Sequence, residues 1–254
     1  MSIGIDLAAL ALVFLIALRV GPLFVLAPVF GAITVPVRVR IFIALAFALL
    51  LAAAVEFRGG ALALDPGALI AAAATELVLG IALAFGMFAA FGAFLFGGRI
   101  LDIQIGFGIA SLIDPTSRAS SPLLGTALEL LAVAVFFAVD GHHAIVRAVA
   151  WSLQRLPPGA SIEKLDPAAV AGQFGVVFAY GLVLVAPAVF ALLLLDVALA
   201  IVARTMPQMN IFIVAMPLKI VVGLLMLALT VRHMLPAMTK VFDSVPRYWE
   251  RLLG

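Results

Sequence analysis

The chain has 254 residues, of which 66% are hydrophobic and 11% charged, with a mean hydropathy of +1.32. A soluble core of this size cannot absorb so much apolar surface, so composition places residues 1–254 in a single membrane-embedded domain. The net charge of +2 is spread over scattered Lys and Arg with no basic cluster, which disfavours nucleic acid, and the lack of Cys excludes disulfides and thiolate metal sites.

A helix needs about 20 apolar residues to cross a hydrocarbon core. The stretch 5–33 meets this despite Arg19; Asp6 and no Lys or Arg precedes its apolar run, unlike a secretory signal, so it is expected to stay in the mature protein. A short turn at 34–40, holding Pro36, Arg38 and Arg40, leads into a second, shorter stretch at 41–55. The third, 68–96, carries Glu76. Its start is marked by Asp65, which can accept hydrogen bonds from the first free amides, and by Pro66, which fits the first helical position. Segments 97–122 and 140–167 are rich in Gly, Pro, Ser and charge and read as long loops on either side of a fourth helix at 123–139, which carries Glu129. The fifth and sixth stretches, 175–203 and 211–231, carry Asp196 and Lys219 and are joined by a hairpin turn at Pro207, Gln208 and Asn210. The expected fold is all-α: a polytopic membrane protein of about six apolar helices arranged as helical hairpins. Pro22, Pro28, Pro187 and Pro217 should kink them by removing helix hydrogen bonds. With all six spanning, eight Lys and Arg fall on the side of the termini against five on the other, which favours cytoplasmic termini.

Arg19, Glu76, Glu129, Asp196 and Lys219 lie within apolar stretches, where an unpaired charge costs about 2.5–3.5 kcal/mol or more, so each needs a partner, water or another subunit. Asp196 and Lys219 stand nearly equally far from the turn near Gln208, and an antiparallel hairpin would bring them to one depth as a buried ion pair. Such a pair serves either a proton or ion relay or the register of the hairpin. The structural role is favoured, because one pair without a series of carboxylates makes no conduction path. Small residues four apart, such as Gly80 and Ala84, permit close helix packing.

Asp140, His142 and His143 could suggest a metal site, but adjacent histidines rarely converge on one ion. Helix-end capping is the expectation, with no metal and no cofactor. No nucleophile with a neighbouring base and no phosphate loop is present, which disfavours an enzyme. The segment 102–122 reads DIQIGFGIASLIDPTSRASSP, with Gly106 and Gly108 flanking Phe107, then Ile109, and a turn at Asp114-Pro115. A Gly-flexed, partly apolar loop of this kind suits a plug or constriction, or an ordinary interfacial loop, and physics alone leaves both open.

The run DIQIGFGIASLIDP at 102–115, the stretch FFAVDGHHAIVRAVAWSLQRLPPG at 136–159, and RTMPQMNIFIVAMPLKIVVGLLML at 204–227 resemble the FliR family of flagellar type III export proteins. RVGPLFVLAPVFG with the following VPVRVRI is similar to that family's opening pattern, and the resemblance covers about 250 residues in order. The injectisome T proteins are a related branch that shares the PQMN turn. The resemblance implies an export-gate subunit in the bacterial inner membrane, within the flagellar basal body. There it would assemble with FliP-like and FliQ-like subunits and other export-apparatus membrane components, in contact with membrane lipid, into a helical pore for unfolded flagellar proteins. It further implies that residues 1–167 are a FliP-like portion, that 168–254 are a FliQ-like hairpin with a C-terminal tail, and that the loop from Gln104 to Pro122 helps to plug the pore. The alternative from another class is a secondary transporter or proton-conducting channel built around Glu76, Glu129, Asp196 and Lys219.

Overall fold

A computed structural model describes residues 7–26, 28, 35–54, 65–107, 122–160, 165–206, 208 and 210–254. Among them all regular structure is α-helical: α1 (Leu7–Leu26), α2 (Val37–Ala54), α3 (Pro66–Ile105), α4 (Leu123–Ala138), α5 (Gly141–Arg155), α6 (Pro167–Thr205) and α7 (Ile211–Leu253). Five of these, α1, α2, α3, α6 and α7, are long and apolar enough to cross a membrane, and α4 with α5 makes a sixth if the pair is counted as one interrupted span.

Within the described residues each expected apolar stretch is helical, and several helices run further than the apolar runs. Helices α3, α6 and α7 have 40, 39 and 43 residues. At 1.5 Å per residue each is roughly 60 Å long, about twice the thickness of a hydrocarbon core. Pro22 and Pro187 lie inside α1 and α6 without ending them. The start of α3 forms as its residues dictate, with the Ala68 amide donating to Asp65 Oδ2 at 3.2 Å.

Two segments expected to be loops are partly helical. Helix α3 continues through Gly97 and Gly98 to Ile105, because both glycines sit where neighbouring backbone closes in, and packing there outweighs their poor helix propensity. Residues 141–155 form α5, whose Val149, Ser152 and Leu153 are buried while Arg147 and Gln154 are exposed; the polar residues that suggested a loop are the outer face of an amphipathic helix. The second half of α7 has the same character. Met234, Met238, Val241, Val245, Tyr248, Trp249 and Leu252 are buried at helical spacing, and Arg232, Lys240, Asp243, Arg247 and Glu250 are exposed.

The chain forms two compact units, one from Met1–Ala89, Asp140–Phe174 and Phe242–Gly254, the other from Ala90–Val139 and Gly175–Val241. In the first, Leu15, Ile16 and Val20 of α1, Leu79 and Leu83 of α3, and Leu153 of α5 make a core closed by Tyr248 and Trp249. Helices α1 and α2 pack in this unit, with Phe24 and Phe47 edge to face at 5.7 Å. In the second, Phe91 of α3 and Phe136 of α4 meet edge to face at 5.6 Å, and Phe96 of α3 meets Phe178 of α6 at 5.0 Å. Burial is unevenly shared: 61% of the apolar window of α3 is buried, against 6% of that of α7.

Candidate functional site

The charges within the apolar helices organise each unit differently. In the first unit Gly80 is the residue that lets α1 and α3 touch: a Cβ there would collide with the carbonyls of Leu18 and Arg19. This approach sets Arg19 against Glu76, one turn before Gly80. The Arg19 Nε donates to Glu76 Oε2 at 2.6 Å and its second fork nitrogen to Oε1 at 2.8 Å, a bidentate pair with both residues at 0% exposure. The remaining guanidinium nitrogen donates to two carbonyls at the end of α5, that of Ser152 at 3.1 Å, which also accepts the Leu156 amide, and that of Leu156 at 2.8 Å. A cation there also suits the negative end of the helix dipole. The Gly159 amide donates to Glu76 Oε1 at 3.0 Å, so α1, α3, α5 and the turn after α5 meet at one saturated ion pair.

The same unit is closed by the end of α7. The Tyr248 hydroxyl donates to the Ala82 carbonyl at 2.7 Å and the Trp249 indole to that of Leu83 at 3.0 Å. The Arg155 guanidinium bonds the Gly254 carbonyl.

In the second unit a Cβ on Gly98 would strike the backbone of Leu124 and Gly125, so glycine is what allows α4 to start against α3. One turn further along α3, Asp102 is 4% exposed and accepts from the amides of Leu124 at 3.0 Å and Gly125 at 3.1 Å. Helix α4 follows Pro122, which has no side-chain acceptor, and a carboxylate from another helix takes the role of its cap. The sequence reading gave Asp102 no role. The available signal was a helix start without Ser, Thr, Asp or Asn at its own cap, together with an unexplained carboxylate.

Asp196 and Lys219 meet as their spacing from the turn suggests, Oδ1 to Nζ at 2.5 Å. The pair is not buried: the side chains are 37% and 21% exposed, because α7 leaves its apolar half uncovered on this side. Glu129, half-buried on α4, has no hydrogen-bond or ion-pair partner among the described residues. At the hairpin turn Asn210 Oδ1 accepts from the Phe212 amide at 3.2 Å and so caps α7; Gln208 is exposed, and Pro207 lies outside the described residues. Of the loop residues, Gln104 lies half-buried in the last turn of α3, which ends at Gly106 with φ 100° and is followed by a half-buried Phe107. Gly108, Ile109, Asp114 and Pro115 lie outside the described residues.

Asp140, His142 and His143 stand at the start of α5, with Asp140 Oδ1 3.3 Å from His143 Nδ1. The expected side-chain cap is not made. The backbone of Asp140 is left-handed, φ 56° and ψ 29°, which carries the carboxylate away from the first-turn amides.

These features define a membrane-embedded, all-α protein whose polar residues brace helices or sit at their surfaces. The chain matches the family described as "Bacterial export proteins, family 1" over residues 10–245. It is 32% identical over 245 residues to the flagellar biosynthetic protein FliR of Bacillus subtilis, covering 94% of this chain and 93% of that one. To the FliR of Escherichia coli K12 it is 29% identical over 240 residues, covering 94% and 91%. It is also 28% identical to the Yop proteins translocation protein T of Yersinia pestis over 179 residues, or 67% of this chain and 68% of that one. The chain belongs to the FliR family of bacterial export proteins, with the translocation T proteins as close relatives.

Proposed function

We propose that the protein is a non-enzymatic subunit of the flagellar type III export gate in the bacterial inner membrane, within the flagellar basal body. It assembles there with FliP-like and FliQ-like subunits and other export-apparatus membrane components, and forms part of the helical pore through which unfolded flagellar proteins leave the cytoplasm. The observation that carries this reading is likeness to FliR proteins along 94% of the chain. The uncovered apolar surface of α7 supports it, since so much exposed Leu, Ile and Val calls for lipid or neighbouring subunits. Residues 1–167 form the FliP-like portion and 168–254 the FliQ-like hairpin and tail.

The segment from Gln104 to Pro122 is the plug. Apolar side chains such as Phe107 and Ile109, on a backbone loosened by Gly106 and Gly108, close the resting pore against water and ions.

Co-purification with FliP-like and FliQ-like proteins tests the subunit assignment, and a stable, monodisperse protein in detergent without them would contradict it. Deleting residues 106–110 tests the plug. Assembly should persist while ion leak through the inner membrane rises, and a normal complex with no added leak would sink the plug assignment. A secondary transporter would instead be competent when purified alone.

A further inference from the structure

Asp140 holds a position where an Asp side chain ordinarily accepts a hydrogen bond from the first turn of the helix, and here it accepts none. It is the one non-glycine residue with positive φ among those described, a conformation that surrounding structure must impose and that concentrates at functional positions. The turn directs its carboxylate along the start of α5 to the imidazole of His143, and the rings of His142 and His143 lie with centroids 4.0 Å apart. Each of the three side chains presents one donor atom, and the three donor atoms all lie within 4.8 Å of one another.

One of the three separations already suits a shared ion, and the donors, all within 4.8 Å of one another, would draw in by side-chain rotation to complete the set. A charge-assisted N–H···O contact is about 2.7–2.9 Å long. A tetrahedral ion with bonds of about 2.0–2.1 Å to nitrogen and oxygen sets its ligand atoms about 3.3 Å apart, since the edge of a tetrahedron is about 1.6 times the bond. Asp140 Oδ1 and His143 Nδ1 are 3.3 Å apart. Adjacent histidines in a regular helix diverge, which is why their sequence argues against a metal; the left-handed residue just before Gly141 brings the carboxylate round to meet them.

We propose that Asp140, His142 and His143 bind one divalent cation of the zinc class, two imidazole nitrogens and one carboxylate oxygen leaving a further position for water. The donor set is of intermediate softness, which suits Zn²⁺ and its Co²⁺ surrogate over Mg²⁺ or Ca²⁺. Bound there, the ion staples the strained first turn of α5. Asp140 and His143 are largely exposed, so the ion exchanges directly with solvent.

The test uses the full chain co-expressed with its membrane partners and purified through a tag without histidine. Zn²⁺ is measured by equilibrium dialysis with elemental analysis, and Co²⁺ by visible absorption, which is intense for tetrahedral and weak for octahedral coordination. The expected result is one ion per chain with a tetrahedral Co²⁺ spectrum. Asp140→Gly, which removes a ligand and relieves the left-handed strain, should weaken binding at least about tenfold, as should His143→Ala, since even loss of an outer-shell group costs about 10–100-fold. His233→Ala, which changes the one other histidine, should leave binding as it was. Should His143→Ala fail to assemble, His143→Gln is measured in its place. Absence of binding by the unaltered chain, an octahedral spectrum, or affinity unchanged in Asp140→Gly would each overturn the proposal.

Discussion

In the first unit Arg19 and Glu76 are sealed from solvent, and five hydrogen bonds from or to them are met within that unit, by each other, by the end of α5 and by Gly159. In the second, the Asp196–Lys219 pair is part exposed and Glu129 has no partner among the described residues. Both units carry charge into apolar helices, but only the first fastens helices with a sealed ion pair; the buried fastening of the second is the single carboxylate of Asp102 on the α4 amides. A saturated buried pair fixes which helices meet and at what register, because any other arrangement would strand a charge. A part-exposed pair on an uncovered helix specifies far less within its own chain and leaves its surroundings to neighbours.

The comparison is tested most strongly by Arg19→Ala, which leaves Glu76 buried without its cation and takes the side-chain donor from the carbonyls of Ser152 and Leu156. A loss of about 3–5 kcal/mol is expected, seen as collapse in the yield of folded complex and a marked fall in its thermal unfolding temperature. Replacing both residues, Arg19→Met with Glu76→Leu, should recover much of that loss. Next in size is Asp102→Ala, which strips two amides of their acceptor at about 1–3 kcal/mol each. Asp102→Asn, keeping one carbonyl oxygen, should fall between it and the unaltered protein in the same unfolding measurement. Smallest is Asp196→Ala, for which the exposure of the pair limits the loss to about 0–1 kcal/mol in detergent. A double-mutant cycle with Lys219→Ala measures the coupling, and the double variant should be less harmed than the sum of the singles. Were Asp196→Ala as damaging as Arg19→Ala, the contrast between the units would fail.

What the sequence made legible follows from how local each determinant is. The start of α3 at Asp65-Pro66 and the meeting of Asp196 with Lys219 were readable, the first because a cap acts within one turn, the second because a tight hairpin makes distance from the turn equivalent to depth. Arg19 and Glu76 were each recognisable as charges in need of partners, but another helix intervenes between α1 and α3, and no turn symmetry fixes their register. Asp102 was opaque for the same reason. Its amides lie 22 and 23 residues away and come within reach only because Gly98 admits the backbone of Gly125. Helix α5 was masked by the Arg and Gln of its outer face and by having only four buried positions, two of them Gly141 and Ser152, to mark its inner one.

The aromatic closure of the first unit also sets an order of events in the cell. The carbonyls of Ala82 and Leu83 receive the hydroxyl of Tyr248 and the indole of Trp249 across a separation of 166 residues. At synthesis rates of about 5–20 residues per second, this half of α3 waits on the order of ten seconds or more after its own emergence before its partners exist. Throughout that interval the Ala82–Leu83 turn of α3 lacks its aromatic cover, although Glu76 a turn and a half earlier has had Arg19 since its own synthesis and gains Gly159 well before the end. The first part of the protein to be made is therefore among the last to be completed, and assembly with other subunits through this unit can begin in earnest only when translation is nearly over.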